Sequence, residues 1–283
     1  MRCSSIRLFR SLFLLEDEKI DDFRHDELRT KSKFKIGSHC IRLKRGEGST
    51  GGSAWYGATL LAEYLNADPE LKMAALAAPN WSKFSLSDAR TIELGAGLGL
   101  TSIITGILGA NAVLATDGST SLIPILQANL ETNLSSNQQQ FSNVCARHLD
   151  WRDLEKVASI AKSFSPNLII GSDLVYGRDN SFFTSHLYLV AAMAILAKSN
   201  KNSLVMYAHT TRFHGDDSSF WRHFDHFFVR TKLHWSPTSR ESFYSQNKKR
   251  TQIWIAVLRP DVSITTPLNS RRLPSSKFYQ KTK

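Results

Sequence analysis

The chain has 283 residues, 42% of them hydrophobic and 22% charged, and a net charge of +11. That length can bury a substantial core, and no run of about 18 apolar residues marks a membrane span. Three scattered cysteines, Cys3, Cys40 and Cys145, argue against a disulfide framework and supply no paired spacing for zinc.

The first fifteen residues carry Arg2, Arg7 and Arg10 with no acid before Glu16. A short mitochondrial presequence and a frayed terminus both fit this opening. The acids Glu16, Asp17 and Glu18 that follow favour the second, so the expected location is the cytoplasm, with mitochondria as the alternative. Basic residues gather between Arg29 and Arg45 and again after Arg259. Neither stretch is a dense tract, and both read as solvated surface.

Residues 33 to 43, "KFKIGSHCIRL", alternate about a Gly-Ser pair and predict a hairpin. A glycine loop, "RGEGSTGGS", follows. The stretch "AWYGATLLAEYL" then predicts a helix with Leu60, Leu61, Tyr64 and Leu65 along one side. Pro69 and Pro79 bracket a short alanine-rich helix.

From residue 90 strands and helices alternate. The strands are "TIEL", "AVLAT", "NVCARHL", "NLIIGS" and "SLVMYAH". A helix from Ser119 to about Leu134 repeats leucine at Leu122, Leu126, Leu130 and Leu134, with Pro124 in its first turn. A helix near 180 to 198 has Phe183, Leu187, Val190 and Ala194 as its expected buried stripe. A strand near 229 to 235 and "TQIWIAVL" close the series. The alternation predicts an α/β fold, a doubly wound and mostly parallel sheet ending in an antiparallel hairpin. The expected organisation is an N-terminal extension over 1–32, a domain over 33–258 divided at residue 90, and a disordered basic tail over 259–283.

In "TIELGAGLGLTS" a strand runs into Gly95, Gly97 and Gly99. Sheets of this kind bind ligands at the carboxyl ends of their strands. Glycine there lets the backbone approach a ligand closely. Three acids, Glu93, Asp117 and Asp150, stand at the ends of three successive strands. A dinucleotide fingerprint needs G-x-G-x-x-G, and the spacing here is one residue short. A row of carboxylates suits a cationic ligand better than a pyrophosphate. S-adenosylmethionine has a sulfonium, an ammonium, a ribose and an adenine, and no phosphate.

Residues 91 to 100 resemble motif I of the class I, seven-β-strand methyltransferases. The order "TGGSAWYGATLLAEYL", "IELGAGLGLTS", "ATDGS", "HLDW" and "NLIIGSDLVY" resembles the family 16 protein lysine methyltransferases over about residues 33 to 258. The resemblance implies a Rossmann-like methyltransferase fold with S-adenosyl-L-methionine as cofactor. It implies that Glu93 and the backbone of Gly95, Ala96 and Gly97 hold the methionine part, that Asp117 grips the ribose, and that Asp150 and Trp151 recognise the adenine. Trp55 would pack against the cofactor, with a plain core aromatic as the equal alternative. Ser172 and Asp173 would line the methyl-transfer site, with Tyr176 completing a D-x-x-Y pattern. For Asp173 the competing role is a helix cap.

The implied acceptor is a lysine amine of a protein, and a monomer without a membrane partner is expected. Nucleic acid is disfavoured, because base methyltransferases usually carry N/D-P-P-Y/F after the fourth strand, where this chain has "SDLVY". A small-molecule acceptor and a non-catalytic cofactor-binding module remain as alternatives. The histidine-rich stretch "HTTRFHGDDSSFWRHF" reads as loop and core rather than a metal site.

Overall fold

In the computed structural model the described residues are 32–46, 50–78, 85–135, 143–175, 180–211, 218–237 and 251–262. The chain opens with the antiparallel pair β1 (Lys33–Ile36) and β2 (His39–Arg42). Gly37, at φ +58°, makes the tight turn between them. Phe34, Ile36 and Ile41 point inward and are buried, as the alternation requires.

Helix α1 (Tyr56–Ala67) and the short α2 (Lys72–Ala77) follow. The carboxylate of Asp68 joins them. It accepts from the backbone of Lys72 at 3.0 Å and Met73 at 2.8 Å and from the Tyr64 hydroxyl at 2.9 Å. It therefore caps α2, whose first amides have no partner within the helix.

The remaining strands are β3 (Arg90–Leu94), β4 (Ala112–Asp117), β5 (Val144–His148), β6 (Leu168–Ser172), β7 (Leu204–Thr210), β8 (Phe228–Lys232) and β9 (Thr251–Leu258). They form one sheet in the order β5-β4-β3-β6-β7-β9-β8. The first five pair in parallel, and β9 runs antiparallel to both its neighbours. The expected terminal hairpin is present, with a topological detail the alternation did not show: β9 inserts between β7 and β8. Its residues Ile253, Ile255 and Ala256 are buried on both faces, while β8 alternates and forms the edge.

Helices cover both faces. On one side lie α1, α2, α3 (Leu100–Ile107) and α4 (Ile123–Leu134), with the hairpin against them. On the other lie α5 (Leu154–Phe164), α6 (Asn180–Lys198) and α7 (Ser218–Phe227). Leu126, Leu130 and Leu134 of α4, and Leu122 at its N-cap, are all buried. That helix begins at Ile123 rather than Ser119, because the carboxylate of Asp117 holds the Ser119 amide at 2.8 Å in a preceding turn.

The buried stripe of α6 is offset from expectation. Val190 and Ala194 are buried, but Leu187 is only half-buried, and His186, Leu189, Met193 and Ala197 complete the stripe. The Phe183 side chain lies outside the described residues.

Candidate active site

At the carboxyl ends of β3, β4 and β6 the sheet opens into a cleft of about 490 Å³. Strand order reverses between β3 and β6, the switch point where such sheets bind ligands. The floor is the turn after β3. Gly95 at φ +61° and Gly97 at φ +54° adopt backbone that only glycine takes without strain. A Cβ on Gly97 would stand 2.8 Å from the Gly51 carbonyl oxygen, so the turn and the N-terminal glycine loop need glycine to approach this closely.

Asp117 ends β4 and lines the cleft. Its Oδ2 accepts from the Gly97 amide at 3.0 Å and its Oδ1 from the Ser119 amide. Asp150 and Trp151 line the adjoining wall, two and three residues past the end of β5. Arg152 grips Asp150 through both oxygens, with Nη2 to Oδ2 at 2.6 Å. These hydrogen bonds hold the Asp150 carboxyl below its ordinary pKa. The Trp151 indole N–H donates to Ser185 Oγ at 3.2 Å, which fixes the ring against the wall.

Trp55, at the N-cap of α1, also lines the cleft. Ser172 and Asp173, at the end of β6, also line it. Asp173 is 6% exposed, and both of its oxygens accept backbone N–H groups at 2.8 Å, from Gly57 and from Thr210.

Trp55, Gly95, Ala96, Gly97, Asp117, Asp150, Trp151, Ser172 and Asp173 thus share one cleft. Glu93 does not reach its wall. It lies behind the glycine turn, 2% exposed, with Oε2 accepting from the Ser102 hydroxyl in the first turn of α3. Burial raises its pKa from 4.5 to about 7. Tyr176 lies outside the described residues. The sequence did not single out Gly51, Leu174 or Ser185, which also line the cleft. Gly51 belongs to a glycine-rich loop, a usable signal. Leu174 and Ser185 carry none.

Of the histidine-rich stretch, His209 is buried and stacks on Tyr207 and Phe220. Among the described residues no three His, Cys, Asp or Glu side chains are placed to hold a metal ion.

The lining chemistry tests which ligand fits. Asp117, Asp150 and Asp173 line the cleft, and the one guanidinium on its described wall offsets only Asp150, so the wall stays net negative. A phosphate would seek the bare N-terminus of α3. The Glu93 carboxyl occupies that first turn from beneath. The residues present therefore suit a cationic, phosphate-free ligand better than a phosphorylated one.

Taken with the family match that follows, the doubly wound sheet and its cleft define an S-adenosylmethionine-dependent methyltransferase. The model of the family described as lysine methyltransferase matches residues 37–227, and the chain belongs to that family. It is 29% identical over 222 residues to protein N-lysine methyltransferase METTL21A of Mus musculus, a match covering 76% of this chain and 87% of that protein. To protein-lysine methyltransferase METTL21E of Bos taurus it is 31% identical over 52% of this chain and 43% of that one. To protein N-terminal and lysine N-methyltransferase EFM7 of Kluyveromyces lactis it is 27% identical over 54% of this chain and 62% of that one.

Proposed function

We propose that the chain transfers a methyl group from S-adenosylmethionine to a lysine side-chain amine of a protein. The observation that carries the reading is the cleft wall: three carboxylates, bare glycine backbone and no unpaired cation among the described lining residues. Membership of the lysine methyltransferase family and the names of the relatives support the acceptor class.

The cofactor supplies an electrophilic methyl group on a cationic sulfonium. The backbone of Gly95, Ala96 and Gly97 would hold its methionine part. Asp117 has lone pairs left for ribose hydroxyls, and Asp150 with Trp151 would receive the adenine. Trp55 would shield the other side. Glu93 serves this site by holding the first turn of α3 behind the glycine turn, and so by shaping the floor.

Methyl transfer is an in-line displacement, so orientation dominates. The attacking amine must be neutral. Free lysine titrates near 10.4, so deprotonation at pH 7 costs ~4.6 kcal/mol. An apolar channel and a nearby positive charge lower that cost, whereas a carboxylate raises it. Asp173, with both oxygens already engaged, therefore suits orientation better than proton removal. A cytoplasmic, monomeric enzyme is the accompanying proposal.

The test is incubation with methyl-labelled S-adenosylmethionine and a cell extract, followed by mass spectrometry of the labelled bands. Methyl-lysine in a protein is expected. Label in RNA or in small molecules alone would overturn the acceptor assignment.

A further inference from the structure

Asp173 is one of three described non-glycine residues at positive φ, here +52°. The others, Leu71 and Ser165, lie at helix ends, whereas Asp173 sits in the cleft. Its backbone is over-determined. The Asp173 amide donates to the Ala208 carbonyl at 2.9 Å, and the next amide, of Leu174, donates to the Tyr207 hydroxyl at 3.1 Å. The side chain then reaches the end of β7 through Thr210 and the start of α1 through Gly57.

The Gly57 contact crosses 116 residues of sequence. Gly57 is in the first turn of α1, where amides lack a partner within the helix. Its lack of a side chain matters. A Cβ there would stand 2.8 Å from Asp173 Oδ2 and 2.9 Å from its Cγ. Just before Gly57 come Ala54 and Trp55, which wall the cleft, and Gly51, which lies against Gly97. On the other side Leu174 reaches under the glycine turn, where a Cβ on Gly95 would meet its Cδ2 at 2.4 Å. Asp173 thus ties the wall that carries Trp55 to the 172–174 turn and, through Leu174, to the glycine turn.

We propose that Asp173 serves the reaction as a positioning residue rather than as a proton acceptor, and that Gly57 and Tyr207 are positioning residues with it. The latch fixes the cofactor wall and the 172–174 turn at one separation. The proposal rests on the methyltransferase reading of the cleft. Strained backbone held by several bonds at such a point is what a preorganised site requires.

The experiment compares Gly57→Ala, Asp173→Asn, the double variant and Tyr207→Phe in the full chain. Calorimetry reads S-adenosylmethionine affinity, turnover is measured on the lysine acceptor found by labelling, and thermal unfolding is followed in parallel. Gly57→Ala keeps the carboxylate but displaces it. Asp173→Asn removes the charge and turns an NH₂ against one of two donors. Each is expected to weaken cofactor binding and lower kcat together, by ~10-fold or more. The double variant is expected to be no worse than the poorer single one, because both break the same latch.

The pH profile of kcat/KM for Asp173→Asn is expected to keep its wild-type shape, since no proton passes through this residue. A lost limb in that profile, or Gly57→Ala with kcat and affinity within twofold of wild type, would overturn the proposal. Tyr207→Phe keeps the buried ring and removes one hydroxyl. It decides the matter if Gly57→Ala does not fold: a fall in kcat at unchanged unfolding temperature supports the latch, and an unchanged kcat refutes it. Cofactor affinity is read without any acceptor, so failure to label lysine would sink the acceptor assignment while leaving the latch measurable.

Discussion

The Gly97 amide donates to Asp117 Oδ2 at 3.0 Å, so the carboxylate facing the cleft also holds the glycine turn of the neighbouring strand. One side chain thereby couples the shape of the floor to the group expected to grip the ribose.

Asp117→Ala should remove both. Charge-assisted hydrogen bonds are worth about 1.5–3 kcal/mol each, so the Kd for S-adenosylmethionine should rise at least ~10-fold. Gly97→Ala, whose Cβ would meet the Gly51 carbonyl at 2.8 Å, should weaken binding similarly. Calorimetric titration checks both, with circular dichroism showing that the sheet is retained.

Glu93 gives a pH signature. An acid whose native pKa lies above its unfolded one binds more protons when folded. Stability therefore falls as pH rises from 4.5 to about 7 and levels off above. Glu93→Gln can still accept the Ser102 hydroxyl and carries no buried charge. It should be more stable than the parent at pH 8, by up to about 3 kcal/mol, and indistinguishable at pH 4. Thermal unfolding of both proteins across that range decides it.

Asn129 is 1% exposed on α4 and bridges three segments. Its Oδ1 accepts from the Lys44 amide at 2.6 Å, and its Nδ2 donates to the carbonyls of Lys44 and Leu98, each at 3.0 Å. Asn129→Ala leaves these groups without a partner and should cost about 2–3 kcal/mol. In a domain of this size the unfolding midpoint should drop by about 5–10 °C. Leu98 lines the cleft, so cofactor affinity should weaken as well.

Arg152 offers the contrasting case. Its side chain is 64% exposed, and it bonds Asp150 within one turn. Exposed pairs contribute little, about 0–1 kcal/mol. Arg152→Gln should therefore leave the unfolding midpoint nearly unchanged, while Asp150→Ala should weaken cofactor binding. A differential scan and a binding titration separate the two effects.

Much of the site could be read from the chain because its acids sit at strand ends. Asp117 closes β4 and Asp150 follows β5 by two residues, where side chains clear the sheet. Glu93 reads the same way in a linear pattern but is the penultimate residue of β3. The pleat of a central strand turns it into the helix layer, with Ile92 and Leu94 facing the opposite layer. The insertion of β9 was not legible, because the apolar run "IWIAVL" fits an interior strand without saying which strands flank it, and the alternation that marks β8 as an edge is in its burial rather than in the sequence "FVRTK". The bond from Gly57 to Asp173 was not legible, because nothing local marks two residues 116 apart as neighbours.

The central claim is that this carboxylate-lined cleft takes a cationic, phosphate-free nucleoside derivative. Isothermal titration of the purified chain with S-adenosylmethionine, and separately with a nicotinamide dinucleotide, tests it most directly. Saturable one-site binding of S-adenosylmethionine that Asp117→Ala weakens, with no heat from the dinucleotide, is the predicted result. Binding of the dinucleotide, or no binding of S-adenosylmethionine, would contradict it.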